Sequence, residues 1–313
     1  MAGNRREFSR RHSLAQVNFR FLFHKECCMS EKSNQIAGTS SFTDENTIPR
    51  RQMLAWLATG SVAGAALLSG MGRANAQTAA AVPAGKDLEP TGATKLAALT
   101  AALAATRRQR KFKKVPMILT HPDQWDSAAL DLLLHYRGSP KQVWDNTDIS
   151  SPWLNLMRNS INAQVWSFRN ADFIAISATH GTCHLALYDA YVWEKYNLPA
   201  VLGHKFKRNT FLDIPAKVRN ASAADYNDPL GLFSPSANCL PLLMDRGAVF
   251  LGCHNAIWEF SGGLLAKGHN PDHLTHEELA ADLTNHLIPG VVLTPGIVAT
   301  LPLLTMAGYS YAK

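Results

Sequence analysis

Two short segments of this chain put a thiol beside an imidazole: Thr179-His180-Gly181-Thr182-Cys183-His184 and Gly252-Cys253-His254-Asn255. The thiolate, not the thiol, is the nucleophile, and the positive end of a helix favours it. A neighbouring histidine tunes that ionisation or takes the proton. The catalytic candidates are therefore Cys253, His254, His180 and Cys183, with His184, Asn255, Thr294 and Gly296 as ligand-binding candidates. Imidazole and thiolate together also suit zinc or copper, so His180, Cys183, His184 and His254 are metal candidates. No Cys-x-x-Cys pair or His-Glu-x-x-His helix makes that metal site firm. A lone cysteine at a strand end is commonly a small buried hydrophobe. The repetition at two equivalent turns is what raises the chemical reading.

Open parallel sheets bind ligands beyond the carboxyl ends of their strands, so these turns matter only if strands lead into them. Asp172 to Ala178 is a nearly continuous apolar run, as expected of a strand buried on both faces. Ala248 to Leu251 predicts a second strand, and Gln142–Trp144, Val291–Leu293 and Tyr309–Tyr311 predict three more. Helical spacing is expected over 96–106, 126–136, 151–165, 239–245, 255–266 and 297–306, and Thr275 with Glu278 forms a capping box for another helix. Beyond His180-Gly181 one helix is expected, with Leu185, Tyr188, Val192 and Tyr196 along one side. Strands alternating with helices indicate a three-layer α/β/α fold around a mostly parallel five-stranded sheet. Residues 203–235 are polar and irregular and read as an insertion, a long surface excursion or lid.

The chain has 313 residues, 46% hydrophobic and 18% charged, which excludes collagen-like, disordered and multi-span membrane classes. Its net charge of +7 suggests a polyanion only until it is located. Residues 1–76 carry 10 basic and 5 acidic side chains, which leaves 21 against 19 for the rest. No nucleic-acid footprint remains. Arg50-Arg51, the uncharged Gln52–Gly72 stretch and Ala74-Asn75-Ala76 have the layout of a twin-arginine export signal cleaved after Ala76. Four glycines, two serines and a threonine in that stretch favour cleavage over a membrane anchor. The expected location is the periplasm. Met29 offers an alternative start to Met1, which would remove Cys27 and Cys28.

The expected organisation is a leader over 1–76, a flexible tail and extension over 77–122, and an α/β domain over 123–313. Past the leader three cysteines remain, Cys183, Cys239 and Cys253, an odd number for an oxidising compartment. The basic cluster from Arg107 to Lys114 reads as a solvated helix end, with an anionic partner as the minority reading. No Gly-x-Gly-x-x-Gly, Walker loop or c-type haem motif occurs, so no motif requires a cofactor and its identity is unknown.

Gly247–Cys253, then Leu287-Ile288-Pro289-Gly290-Val291, Gly296 and Gly308-Tyr309-Ser310-Tyr311, resemble the C-terminal half of the DsrE/DsrF-like family. Asn159, the strand 172–178 and His180-Gly181 match its earlier half, so the resemblance spans about residues 141–313. It implies a compact sulfur-relay fold, often a homo-oligomer, in which the cysteine after the fourth strand carries a persulfide. That position is Cys253 here, with Cys183 as resolving thiol and His254 or His180 tuning it. The implied partner is a small sulfur-containing substrate or a thiol protein, besides the export machinery.

Overall fold

The computed structural model describes residues 88–313; the expected leader and residues 77–87 of the tail lie outside the described residues. Five strands, β1 (Lys141–Asn146), β2 (Ile174–Thr179), β3 (Val249–Cys253), β4 (Val292–Thr294) and β5 (Ser310–Ala312), form one sheet. Every pairing is parallel and the order is β4-β3-β2-β1-β5. Ten α-helices accompany them among the described residues: α1 (Thr94–Ala105), α2 (Ser127–Leu134), α3 (Trp153–Asn162), α4 (Ala190–Lys195), α5 (Leu198–Val201), α6 (Ala216–Arg219), α7 (Leu240–Asp245), α8 (His254–Ala266), α9 (His276–Asn285) and α10 (Ile297–Met306). The fold is the expected three-layer α/β/α sandwich.

The strand order dictates which helices lie on which face. From β1 to β4 the chain steps three times in one direction, and right-handed crossovers place the connecting helices on one face. Trp153, Leu154 and Met157 of α3, Val192 of α4, Leu240 of α7, Ile257 of α8 and Leu279 of α9 share one buried cluster there. The step from β4 to β5 runs back, so α10 crosses on the opposite face. A single helix cannot cover that face. Leu96, Leu99 and Leu103 of α1 and Leu130 and Leu133 of α2 complete it, packed with Ile174, Ile176 and Leu304.

Residues 88–122 thus differ from the expected tail and extension. Leu88 is buried and its N–H bonds the carbonyl of Asp245, 2.7 Å. Helix α1 has no side-chain cap of its own. Asp172 supplies one from across the fold, its Oδ1 accepting the N–H groups of Lys95 (2.8 Å) and Leu96 (3.1 Å). Gly247, at φ +83°, has no room for a side chain because a Cβ would lie 2.7 Å from Leu96. Burying the three α1 leucines is worth on the order of 5 kcal/mol before ordering costs. Among the described residues no helix is long and apolar enough to cross a membrane.

Two further expectations need correction. The single helix after His180 is instead a 3-10 segment, Gly181–Leu187, and then α4, whose N-terminus Asp189 caps by accepting the Val192 N–H at 3.1 Å. Six consecutive residues, Cys183 to Tyr188, are buried. A one-sided amphipathic helix cannot bury every position, so the chain runs through the core in tight turns. Residues 203–235 are also not a loose lid. Val218, Leu232, Phe233 and Ala237 form a small core with Leu88, Cys239 and Leu242. Arg158 on α3 latches it by donating to the carbonyl of Phe233 (2.7 Å) and to Asn238 Oδ1 (2.9 Å). Arg158→Ala should cost about 2–3 kcal/mol and speed proteolytic cutting within 220–232. Unchanged cleavage, read by peptide mass mapping, would show that the latch lies elsewhere.

Candidate functional site

Parallel pairing aligns the carboxyl ends of β1, β2, β3 and β4, and side-chain alternation divides their residues between the two faces. Val143, Ile176, Ala178, Leu251, Cys253 and Val292 belong to the cluster under α1, α2 and α10. Asp145, two residues past Val143, is on that face as well. His180 follows β2 in extended conformation (φ −147°, ψ −168°), which continues the same alternation past Ala178. Its Nε2 lies 2.7 Å from Asp145 Oδ1. Tyr311 on β5 donates to Asp145 Oδ2 at 2.7 Å, and Lys313 Nζ stands 3.8 Å from the same oxygen. Gly181 permits this turn: at φ +52°, a Cβ would stand 2.6 Å from the carbonyl oxygen of Thr147.

Burial pushes the Asp145 carboxyl up, but the hydrogen bonds from Tyr311 and His180 and the nearby charges of His180 and Lys313 outweigh it. The carboxyl is held below its ordinary range, so Asp145 accepts from His180 Nε2–H. The Asp145–His180 pair lies where the strand order reverses, beside β5, which is the usual ligand crevice of an open parallel sheet. Asp145 and Tyr311 were not among the sequence candidates. The carboxyl-end rule, applied to β1 as it was to β2 and β3, would have found Asp145, but the expected strand stopped one residue short of it.

Cys253 ends β3, the third strand among the described residues rather than the fourth that the resemblance implies, and is the N-cap of α8. Its Sγ accepts the N–H of Ala256 in α8 and of Ile297 in α10, each at 3.4 Å. Two helix N-termini therefore converge on one sulfur. Thr294 is its partner across β3–β4 and donates to the carbonyl of Gly252 at 2.9 Å. Gly296 is the N-cap of α10, and a Cβ there would come 2.8 Å from the Asn255 amide nitrogen, so the exposed Asn255 side chain lies over Gly296 and would have to move to admit one. Cys253, Asn255, Thr294 and Gly296 thus meet at one place. Burial raises the Cys253 thiol, the Ile297, Ala256 and Asn255 amides lower it, and the balance remains above the usual thiol range.

The remaining candidates are not brought to that place. Cys183 belongs to the cluster on the opposite face of the sheet, and burial followed by the charges of Asp148 and Asp145 raises its thiol strongly. It is therefore not placed as the resolving partner of Cys253, although β2 and β3 are neighbours. His254 is turned toward the segment before α2, its Nε2 2.8 Å from the carbonyl of Pro116; burial lowers it despite that contact. His184 is wholly buried, and among the described residues both its ring nitrogens, like the Tyr188 hydroxyl, have no hydrogen-bond partner. Burial, then repulsion from His180 and His254, pushes His184 down to about 3. Cys239 caps α7 and is raised by burial despite the Leu242 amide. Among the described residues the three cysteines form no disulfide. Among the described residues no group of three or more His, Cys, Asp and Glu side chains is placed to hold a metal ion.

Fold and site together define a three-layer parallel α/β protein with a cysteine gripped by two helix N-termini and a carboxylate-held histidine one strand away. No family model, curated protein or solved structure matches the chain.

Proposed function

We propose that this chain is an exported, DsrE-like protein that accepts sulfane sulfur on Cys253. The observation that carries the reading is the convergence of the Ala256 and Ile297 amides on Cys253 Sγ, because fixed N–H groups stabilise a sulfur anion where water cannot. In the proposed step Cys253 Sγ, after loss of its proton, attacks the outer sulfur of a donor persulfide. The donor S–S bond breaks, the donor leaves as its thiolate with the bonding pair, and Cys253 becomes the persulfide with no net oxidation. His180, oriented by Asp145 at the end of the adjacent strand and on the same face, takes the Cys253 proton. The leader motif supports a periplasmic location, and the resemblance supports a homo-oligomer acting with a small sulfur donor and a partner thiol protein.

Incubation with a small persulfide donor, followed by alkylation and peptide mass mapping, should add one sulfur atom to Cys253 and none to Cys183 or Cys239. Cys253→Ser should abolish the gain, and His180→Ala should slow it about 100-fold. Sulfur on another cysteine, or none in the folded protein, would overturn the reading. A second reading rests on the 5% exposure of Cys253: the site is a non-catalytic binding module in which the cysteines are core residues. An unmodified Cys253 in intact protein, with Cys253→Ser stable and equally assembled, is its expected result.

A further inference from the structure

Away from Cys253, two guanidinium groups are buried close together under the 203–235 insertion. Arg158 is 5% exposed and Arg246 4% exposed. Among the described residues neither is ion-paired to a carboxylate: the partners of Arg158 are the oxygens of Asn155, Asn159, Asn238 and Phe233, all neutral. Arg246 is held between aromatic faces, 5.5 Å from the Trp166 ring and 4.9 Å from that of Phe233. Its Nη2 donates to Asn162 Oδ1 at 2.7 Å, and among the described residues its Nη1 has no partner. Asn162 links the two groups: it accepts from Arg246 and its Nδ2 donates at 2.9 Å to the Phe233 carbonyl, to which Arg158 Nη1 also donates at 2.7 Å.

Buried charges are ordinarily paired, because an uncompensated ion in a low-dielectric interior costs several kcal/mol. Aromatic faces offset about 1–2 kcal/mol of that and bring no counter-charge. Burial, then repulsion from Arg158, pushes Arg246 down to about 9, which reflects the missing anion. The unfilled donor on Nη1 gives that anion its chemistry. Two positive charges call for a dianion, and a planar fork calls for paired acceptor oxygens.

We propose that Arg158 and Arg246 form a binding site for a small doubly charged oxyanion, of the sulfate, thiosulfate or phosphate class, beneath the inserted segment. The free Nη1 of Arg246 donates to it, Arg158 supplies the second charge, and the Asn155 and Asn238 amides, both half-buried, form the rim. The site is independent of Cys253. An oxyanion there ties α3, α7 and the insertion together, so ligand binding stabilises the folded chain.

Thermal unfolding and titration calorimetry of the full chain with thiosulfate, sulfate and phosphate, against chloride at equal ionic strength, test the site. At least one dianion should raise the transition temperature saturably, by a few degrees at about 100 times its dissociation constant, while chloride does not. The relative affinities identify which oxyanion the site takes. Arg246→Met should abolish the saturable response; if that variant does not fold, Arg246→Lys, which keeps the charge without the fork, should weaken binding about tenfold. No dianion response above chloride in the wild type, or a full response in either variant, would overturn the proposal.

Discussion

Lowering the pH from 7.5 to 5 should destabilise the folded chain by about 2 kcal/mol through His184 alone, and by about 4 kcal/mol at pH 3. His184 has an ordinary value of 6.5 in the unfolded chain and is pushed down to about 3 in the fold by burial, then by His180 and His254. Between those values the unfolded state binds the proton and the folded state does not. Stability is thus complete above pH 6.5 and drains away as the pH falls toward 3. His254, also lowered by burial, adds in the same direction. Denaturant midpoints at pH 7.5, 6 and 5 measure the slope. His184→Leu, which fills a similar volume without nitrogens, should remove most of it; an equal slope in both proteins would mean that His184 is protonated within the fold.

Asp126→Ala should lower stability by about 3–5 kcal/mol, and the transition temperature by about 10 °C. The Asp126 side chain is 1% exposed and is held by the Arg110 guanidinium at 2.7 and 3.1 Å. Its Oδ2 also accepts the Leu293 N–H at 2.7 Å, while its own N–H donates to the Leu293 carbonyl at 3.0 Å. Asp126 thereby pairs with the open edge of β4 as a further strand would. Truncation leaves the Leu293 amide without its acceptor and a largely buried guanidinium without its carboxylate, held only by the carbonyls of Gln109 and Val291. Asp126→Asn, which keeps the shape but not the charge, should fall between. Thermal unfolding followed by circular dichroism decides it: a drop under about 3 °C in the alanine variant would show the pair to be dispensable.

The Arg110 contact also shows where the reading of the basic run 107–114 was incomplete: Arg107, Lys111, Lys113 and Lys114 are exposed, but Arg108 and Arg110 turn inward. Read along the chain, it is a solvated helix end. In the fold Arg110 reaches Asp126, Arg108 donates to the carbonyls of Leu103 and Thr106, and Lys114 lies 3.6 Å from Glu278. Charge runs carry no sign of partners far off in sequence. The strands were legible because a strand buried on both faces needs a nearly continuous apolar run, which Phe173–Ala178 and Ala248–Leu251 have. The capping box at Thr275 and Glu278 was legible for a local reason: both its hydrogen bonds close within four residues.

The split of the candidate residues was not local. Cys253, Asn255, Thr294 and Gly296 meet because β3 and β4 pair and because α8 and α10 both begin at that edge. Cys183 was expected at the same place because its strand adjoins β3, and that adjacency is real. The parity of the side chains and the 3-10 turns after Gly181 nevertheless send it to the other face. His180 found Asp145 through the β1–β2 pairing, and Tyr311 joined them only because β5 returns beside β1.

By itself the amino-acid sequence determined the kinds of element and most of their places, the all-apolar central strands, and the turns where thiols and imidazoles occur. These follow from periodicity and from caps that act over a few residues. Only the tertiary structure decided that α1 and α2 complete a layer, that the insertion is latched by Arg158, that one cysteine rather than two lies on the face with His180, and that two arginines are buried without a carboxylate. Each of those depends on which strand lies beside which, and strand order is set by crossovers and burial across the whole fold.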